Sequence, residues 1–281
     1  MLKKIGSKMF KPELWESNKP NTPLVRALME EYKDKFNWRA DGRDSLMDVG
    51  CAGGGHTMEF VLPILPKNFD RLIGIDNSSE MIAYAHKTYS RPNIEFKTFD
   101  IVEGDTKKLP QVDHIVSLYV FHLLSDHEKA VTNMFDVLKP GGDCFLAHLR
   151  YFGLYTAYEL ISRDPKWSKY ITDVNDVIIP SYFSKCPESD LEQLLKKCGF
   201  KSVEVSSREA SFEVGDFNVL KDLIKTVASL YKGIPLAQHD DFTNDLTHHA
   251  IDAFNSFSYN KHSTTSKVFF PGATLVAYSK K

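Results

Sequence analysis

Between Ser45 and Leu149 short apolar runs alternate with longer segments whose apolar residues recur every three or four positions. Short apolar runs bounded by turn residues read as strands, and the three-to-four-residue period reads as helix. Strands are predicted at 45–50 (SLMDVG), 71–76 (RLIGID), 93–98 (NIEFKT), 113–118 (DHIVSL) and 143–149 (DCFLAHL). The segments HTMEFVLPIL (56–65), SSEMIAYAHKTY (78–89) and HEKAVTNMFDVLK (127–139) are predicted helices that cover the sheet. Strict alternation of this kind predicts an α/β fold with a doubly wound parallel sheet.

After Leu149 the rhythm changes. RYFGLYTAYELISRDPKWSKYI (150–171) is aromatic and helical, and delays the next unit as a cap would. SDLEQLLKKCGFKSVEVSSREA then predicts a helix ended by Gly199 and a strand near 201–209, and ATLVAYSK (273–280) a final strand. Two more helices are predicted at 214–233 and 240–257. The expected organisation is an N-terminal helical lid (1–40), a ligand-binding core (41–149), a helical cap (150–185) and the rest of the core (186–281) with a helical insertion near 214–262.

Composition narrows the function classes. The chain has 281 residues, of which 42% are hydrophobic, enough for a sizeable core. A formal charge of -2 and a pI near 6.6 give no basic field for nucleic acid. Uncharged stretches fall short of the ~20 apolar residues of a membrane span, and the first ten residues lack the apolar segment of a secretion signal. A cytoplasmic protein without membrane or nucleic-acid partners is expected. Cys51, Cys144, Cys186 and Cys198 lack C-x-x-C spacing, so reduced thiols and no metal are expected. His248 and His249 are helix neighbours pointing ~100° apart, which suits a solvated face better than a metal site.

The loop LMDVGCAGGGHT (46–57) carries the chemistry, since in open α/β sheets ligands meet the first strand's loop at the switch point. A nicotinamide fingerprint G-x-G-x-x-G needs glycine where Ala52 stands, and a phosphate loop needs a Gly-Lys-Ser/Thr that does not follow. The remaining pattern, D-x-G-x-A/G-x-G from Asp48, resembles the S-adenosylmethionine loop of class I methyltransferases. Asp76 ends the second strand, where a carboxylate can accept both ribose hydroxyls or serve the start of the next helix. Asp100 follows the third strand, as an adenine ligand or a turn residue. Ser117 and His122 give S-x-x-x-x-H after the fourth strand, and VLKPGGDCFLAHL resembles the family's approach to the fifth. The resemblance implies a Rossmann-like class I fold of seven strands with the last antiparallel. S-adenosylmethionine is its expected cofactor, and S-adenosylhomocysteine its product. It further implies donor contacts at Trp15, Asp48, Gly50, Cys51, Ala52, Gly53, Asp76, Asn77, Met81, Asp100, Ile101, Ser117 and Tyr119, with Gly54 and Gly55 easing the turn into the helix.

A closer resemblance spans nearly the whole chain. WRADGRDSLMDVGCAGGGHTMEFVLPILPKNFDRLIGIDNSSEMIAYAHKTY, SLYVFHLLSDHEKAVTNMFDVLKPGGDCFLAHL and DPKWSKYITDVNDVIIP are similar to insect juvenile hormone acid methyltransferases. It implies esterification of a small lipophilic acid, such as farnesoic or juvenile hormone acid. A carboxylic acid with a pKa near ~4–5 is already ionised at neutral pH, so alignment with the methyl group suffices and no general base is needed.

Two anchors differ from that family's. Where it is expected to hold the carboxylate with a Gln and a Trp, this chain has Asn21 or Thr22, depending on the alignment, and Leu123. His122 is the best remaining polar group, unless it packs under its loop; behind it stand Tyr119, Tyr151, Tyr155 and Arg150. Tyr151, Phe152, Leu154, Tyr155 and Tyr158 make an aromatic wall for a hydrocarbon or close the core beneath the cap. Trp15 is a lid over the donor or a helix staple. Methylation of a phenol, amine or polar acid, and a degenerate ligand-binding protein, stay open. So does the choice between monomer and homodimer.

Overall fold

A computed structural model describes residues 12–17, 22–215, 217–226, 228–253 and 268–281. Two compact units divide them: residues 12–148, 186–208 and 275–281 form one, and residues 149–185 and 209–274 the other.

The first unit is built on β1 (Ser45–Val49), β2 (Arg71–Asp76), β3 (Ile94–Thr98) and β4 (Val112–Leu118), with the initial part of β5 (Leu138–Phe152). β6 (Ser202–Gly215) and β7 (Val268–Lys280) complete a seven-stranded sheet in the order β3-β2-β1-β4-β5-β7-β6. β1 pairs in parallel with β2 and β4, β2 with β3 and β4 with β5. β7 is antiparallel: the amide of Lys201, just before β6, bonds to the Lys280 carbonyl at the end of β7, and that of Lys281 to the Gly142 carbonyl near the start of β5. All five residues of β1 are buried, with Met47 and Val49 in one apolar cluster and Leu46 in the other, so both faces are covered.

The helices begin and end where their sequences direct. α1 (Pro12–Ser17) and α2 (Thr22–Tyr32) precede the sheet. Ser78 caps α3 (Ser79–Tyr89) by accepting the Met81 N–H, and Asp126 caps α4 (His127–Val137) through Lys129. α7 (Pro187–Lys197) opens on Pro187 and is followed by Gly199 at φ +109°.

Three predicted elements are corrected. Segment 56–65 is not an α-helix but a π-turn, Thr57–Val61, followed by a 3-10 turn, Leu62–Ile64; Pro63 has no N–H with which to continue an α ladder. β5 starts at Leu138 rather than 143, because between Val112 and His114 of β4 it bulges from Leu138 to Asp143. It also runs on to Phe152, so Tyr151 is a strand residue. Within 150–171 only α5 (Gly153–Ile161) is α-helical; 150–152 belong to β5, and turns around Asp164 follow the helix.

The second unit packs α5 against α9 (His239–Ala253) and α9 against α8 (Phe217–Thr226), with the short α6 (Pro180–Phe183) nearby in sequence. Leu154, Tyr158, Ile161, Trp167, Leu220 and Phe242 are in its core, so Leu154 and Tyr158 are packing residues. The Trp167 indole donates to Asp245 at 2.9 Å. His249 lies 3.5 Å from Asp164, and His248 packs against Phe217. Among the described residues no helix is long and apolar enough to cross a membrane.

At the amino ends of the strands a buried charged cluster ties the entry segment to the sheet. His114 Nδ1 lies 2.7 Å from Asp143 and Nε2 2.8 Å from Asp44. Asp143 also accepts the Asn37 N–H and the Tyr278 hydroxyl, and Asp44 the Arg39 N–H. Burial pushes the His114 pKa down, but two carboxylates outweigh it and raise it above 6.5.

Candidate active site

Strand order reverses between β1 and β4, so the loops after these two strands face each other at the switch point. Gly50 leaves β1 at φ +81°, and its N–H and that of Cys51 donate to the Ile75 carbonyl. A Cβ at Gly50 would fall inside the Val120 side chain from the loop after β4, so the two loops touch only because residue 50 is glycine. Ala52 is left-handed, at φ +47°, where a side chain costs about 1–2 kcal/mol. The strain is held by Asp76, whose Oδ2 accepts the Ala52 N–H at 3.0 Å while Oδ1 accepts that of Ser78 at 2.9 Å. Each carboxylate oxygen keeps a second lone pair. Burial raises the Asp76 pKa, the two amides pull it back and Asp100 adds to the rise.

Asp48 is buried and accepts the Thr57 hydroxyl at 2.6 Å. Burial pushes its carboxyl up to about 7, opposed by Thr57 and aided by Asp76. Cys51 is buried, and burial raises its thiol well above the ordinary value. Glu16 of α1, which sequence reasoning did not single out, brings a carboxylate to the same place. Its Oε1 accepts the Gly55 N–H at 3.4 Å and lies 2.5 Å from where a Cβ of Gly53 would be. Asp100 turns its Oδ1 to the Val102 and Glu103 amides. Met81 and Ile101 are buried and Asn77 is exposed.

On the β4 side the Ser117 hydroxyl is spent on the Val49 carbonyl, at 2.9 Å, which joins the ends of β4 and β1. Tyr119 is left-handed at φ +58°, with its N–H on the Ala147 carbonyl. His122 sits in the turn Phe121–Leu123, and its Nδ1 is buried with no hydrogen-bond partner among the described residues. Burial lowers its pKa to about 3, with His148 and His127 adding to the fall. His148 near the end of β5 stacks its ring on His122 at 6.5 Å; no sequence motif singled it out. Leu123 is 52% exposed.

Other predicted acceptor residues belong to the second unit. There Tyr151 stacks on Tyr182 at 5.7 Å, Tyr155 meets Tyr182 edge-on, and Arg150 pairs with Glu209. Burial raises the Tyr155 phenol. Trp15 lies in α1 and Thr22 begins α2, but their side chains, and Asn21 as a whole, lie outside the described residues.

The chemistry of these groups fits S-adenosylmethionine. Asp76 and Asp100 offer acceptors at the tips of β2 and β3 to a diol and an exocyclic amine. The 50–55 loop and Glu16 offer backbone and negative charge to a zwitterionic, cationic ligand.

Comparisons with known proteins agree. A family model described as a methyltransferase domain matches residues 47–146. Juvenile hormone acid O-methyltransferase of Drosophila melanogaster is 32% identical over 263 residues, covering 92% of this chain and 87% of that protein. The Bombyx mori protein of the same name is 34% identical over 220 residues, 77% of each. Among solved structures, the YcgJ protein of Bacillus subtilis is 17% identical with a TM-score of 0.54, over 90% of this chain and 97% of that one. That likeness is one of fold.

Proposed function

The chain belongs to the juvenile hormone acid O-methyltransferase family of class I, S-adenosylmethionine-dependent methyltransferases, and on that premise we propose that it esterifies the carboxylate of a small lipophilic acid, a sesquiterpenoid acid being the leading choice. When bound, S-adenosylmethionine supplies a methyl group on cationic sulfur, which the acceptor's carboxylate oxygen takes as the carbon–sulfur bond breaks and its electrons stay on sulfur.

The observation that carries the acceptor class is the Nδ1 of His122, buried with no hydrogen-bond partner among the described residues, in an imidazole that burial drives toward its neutral form. A carboxylate needs no base. In this reading Asp76 holds the ribose hydroxyls, Asp100 the adenine amine, and the 50–55 loop with Glu16 the amino-acid end. His122 hydrogen-bonds the acceptor carboxylate in place of the family's tryptophan. Leu123 supplies apolar surface for its chain.

The test is incubation with methyl-labelled donor and, in parallel, farnesoic acid, a polar acid, a phenol and an amine. A labelled, alkali-labile ester from farnesoic acid is expected. Turnover of the phenol or amine alone would overturn the acceptor class, and donor binding without any product would favour a binding protein.

A further inference from the structure

The Nδ1 of His122 is a buried polar atom without a hydrogen-bond partner among the described residues, and such an atom points to a missing ligand. It follows the carboxyl end of β4, two residues beyond the Val120 side chain that touches the glycine loop. The titratable groups facing it are His148 on β5 and His127, the first residue of α4. The His127 ring stacks on Phe121 at 4.4 Å and donates to the Phe121 backbone. Phe121 also packs on His148, at 5.0 Å. Both groups facing His122 are thus imidazoles, so among the described residues it has no counter-charge beside it.

The same chain shows what a carboxylate does to a buried imidazole. His114 is the more deeply buried of the two, yet with Asp44 and Asp143 on its ring nitrogens it is driven toward the charged form, whereas His122 is driven away from it. We infer that the acceptor's carboxylate binds at His122 together with one proton from water, which forms an Nδ1–H bond, and that this proton returns to water when the neutral ester leaves. This rests on the carboxylate reading above.

The charges balance at each stage. Neutral imidazole, anion and proton become an imidazolium–carboxylate pair. Methyl transfer removes the anion's charge, leaving a buried imidazolium opposite an uncharged ester, and loss of the Nδ1 proton restores the free enzyme. No net proton is consumed. His148 acts as a positioning residue: its ring lies 6.5 Å from that of His122 and disfavours a charge there until an anion arrives. The device favours the acid over its own product, as uniform binding of both would not.

Calorimetry on the whole chain with bound S-adenosylhomocysteine tests this, titrating farnesoic acid or methyl farnesoate in phosphate, HEPES and Tris. The acid is expected to take up about one proton, read from the dependence of binding heat on buffer ionisation enthalpy, and the ester none. Acid affinity is expected to fall about tenfold per pH unit above neutrality, with ester affinity flat. His122→Gln should abolish the uptake and weaken acid binding about tenfold or more, sparing the ester. Acid binding with no proton uptake, or with undiminished uptake in His122→Gln, overturns the inference alone. Failure of the acid to bind overturns the carboxylate reading as well. Should His122→Gln not fold, the buffer and pH series on the unaltered chain decide.

Discussion

The carboxylate of Asp76 accepts the N–H of Ala52 at 3.0 Å, so the acidic tip of β2 fastens the strained loop that follows β1. One residue therefore shapes the loop and offers lone pairs to a ligand. Asp76→Ala removes both functions. With charged hydrogen bonds contributing roughly 1.5–3 kcal/mol each, S-adenosylhomocysteine affinity should fall about a hundredfold by calorimetry. An affinity within threefold of the unaltered chain would contradict this.

The loop's backbone makes opposite demands at two neighbouring positions. Ala52→Gly relieves a left-handed alanine at the cost of a freer unfolded chain, so stability should change by less than about 1 kcal/mol. Gly50→Ala adds a methyl at φ +81° against Val120 and should cost more than about 2 kcal/mol. Urea denaturation of the two variants measures the contrast.

His114 should make stability depend on pH in a defined direction. Its folded-state pKa is raised above the ordinary 6.5, so the stabilisation is fully present below about pH 6.5 and is lost as pH rises through the folded value. His114→Phe leaves Asp44 and Asp143 buried without their cation and should cost roughly 3–5 kcal/mol at pH 6. The gap from the unaltered chain should narrow at higher pH in denaturant melts. A gap that widens with pH would refute the assignment.

Leu123 adjoins His122 where the resemblance places a tryptophan, and it stands half in solvent. Leu123→Trp supplies an indole N–H without displacing a packed core residue. The KM for farnesoic acid should drop severalfold, up to about tenfold for one new charged hydrogen bond, with kcat little changed. Steady-state kinetics reads the split.

The sequence by itself determined the sheet, the donor and the loop that meets it. Alternating apolar runs placed β1 to β4 within a few residues, because burial on both faces leaves a strong local signature in Leu46, Met47, Ile73 and Ile115. The D-x-G-x-A pattern is equally local: Gly50 and Ala52 need their backbone angles within a single turn. Local patterning was less reliable where one residue interrupts a ladder. Pro63 replaced a predicted helix by π and 3-10 turns, and the bulge at 139–142 moved the start of β5.

Tertiary structure alone decided which side chains meet. His114, Asp44 and Asp143 are brought together by strand register, since Leu46 pairs with His114 and His114 with Asp143. Glu16 reaches Gly55 across 39 residues of chain, and His148 stacks on His122 from the neighbouring strand. No spacing rule along the chain encodes such contacts, because they follow from a lateral order of strands that departs from the order of sequence. Nor does the letter H say whether an imidazole is charged. That is set by what replaces water around it: two carboxylates at His114, and at His122 two other imidazoles.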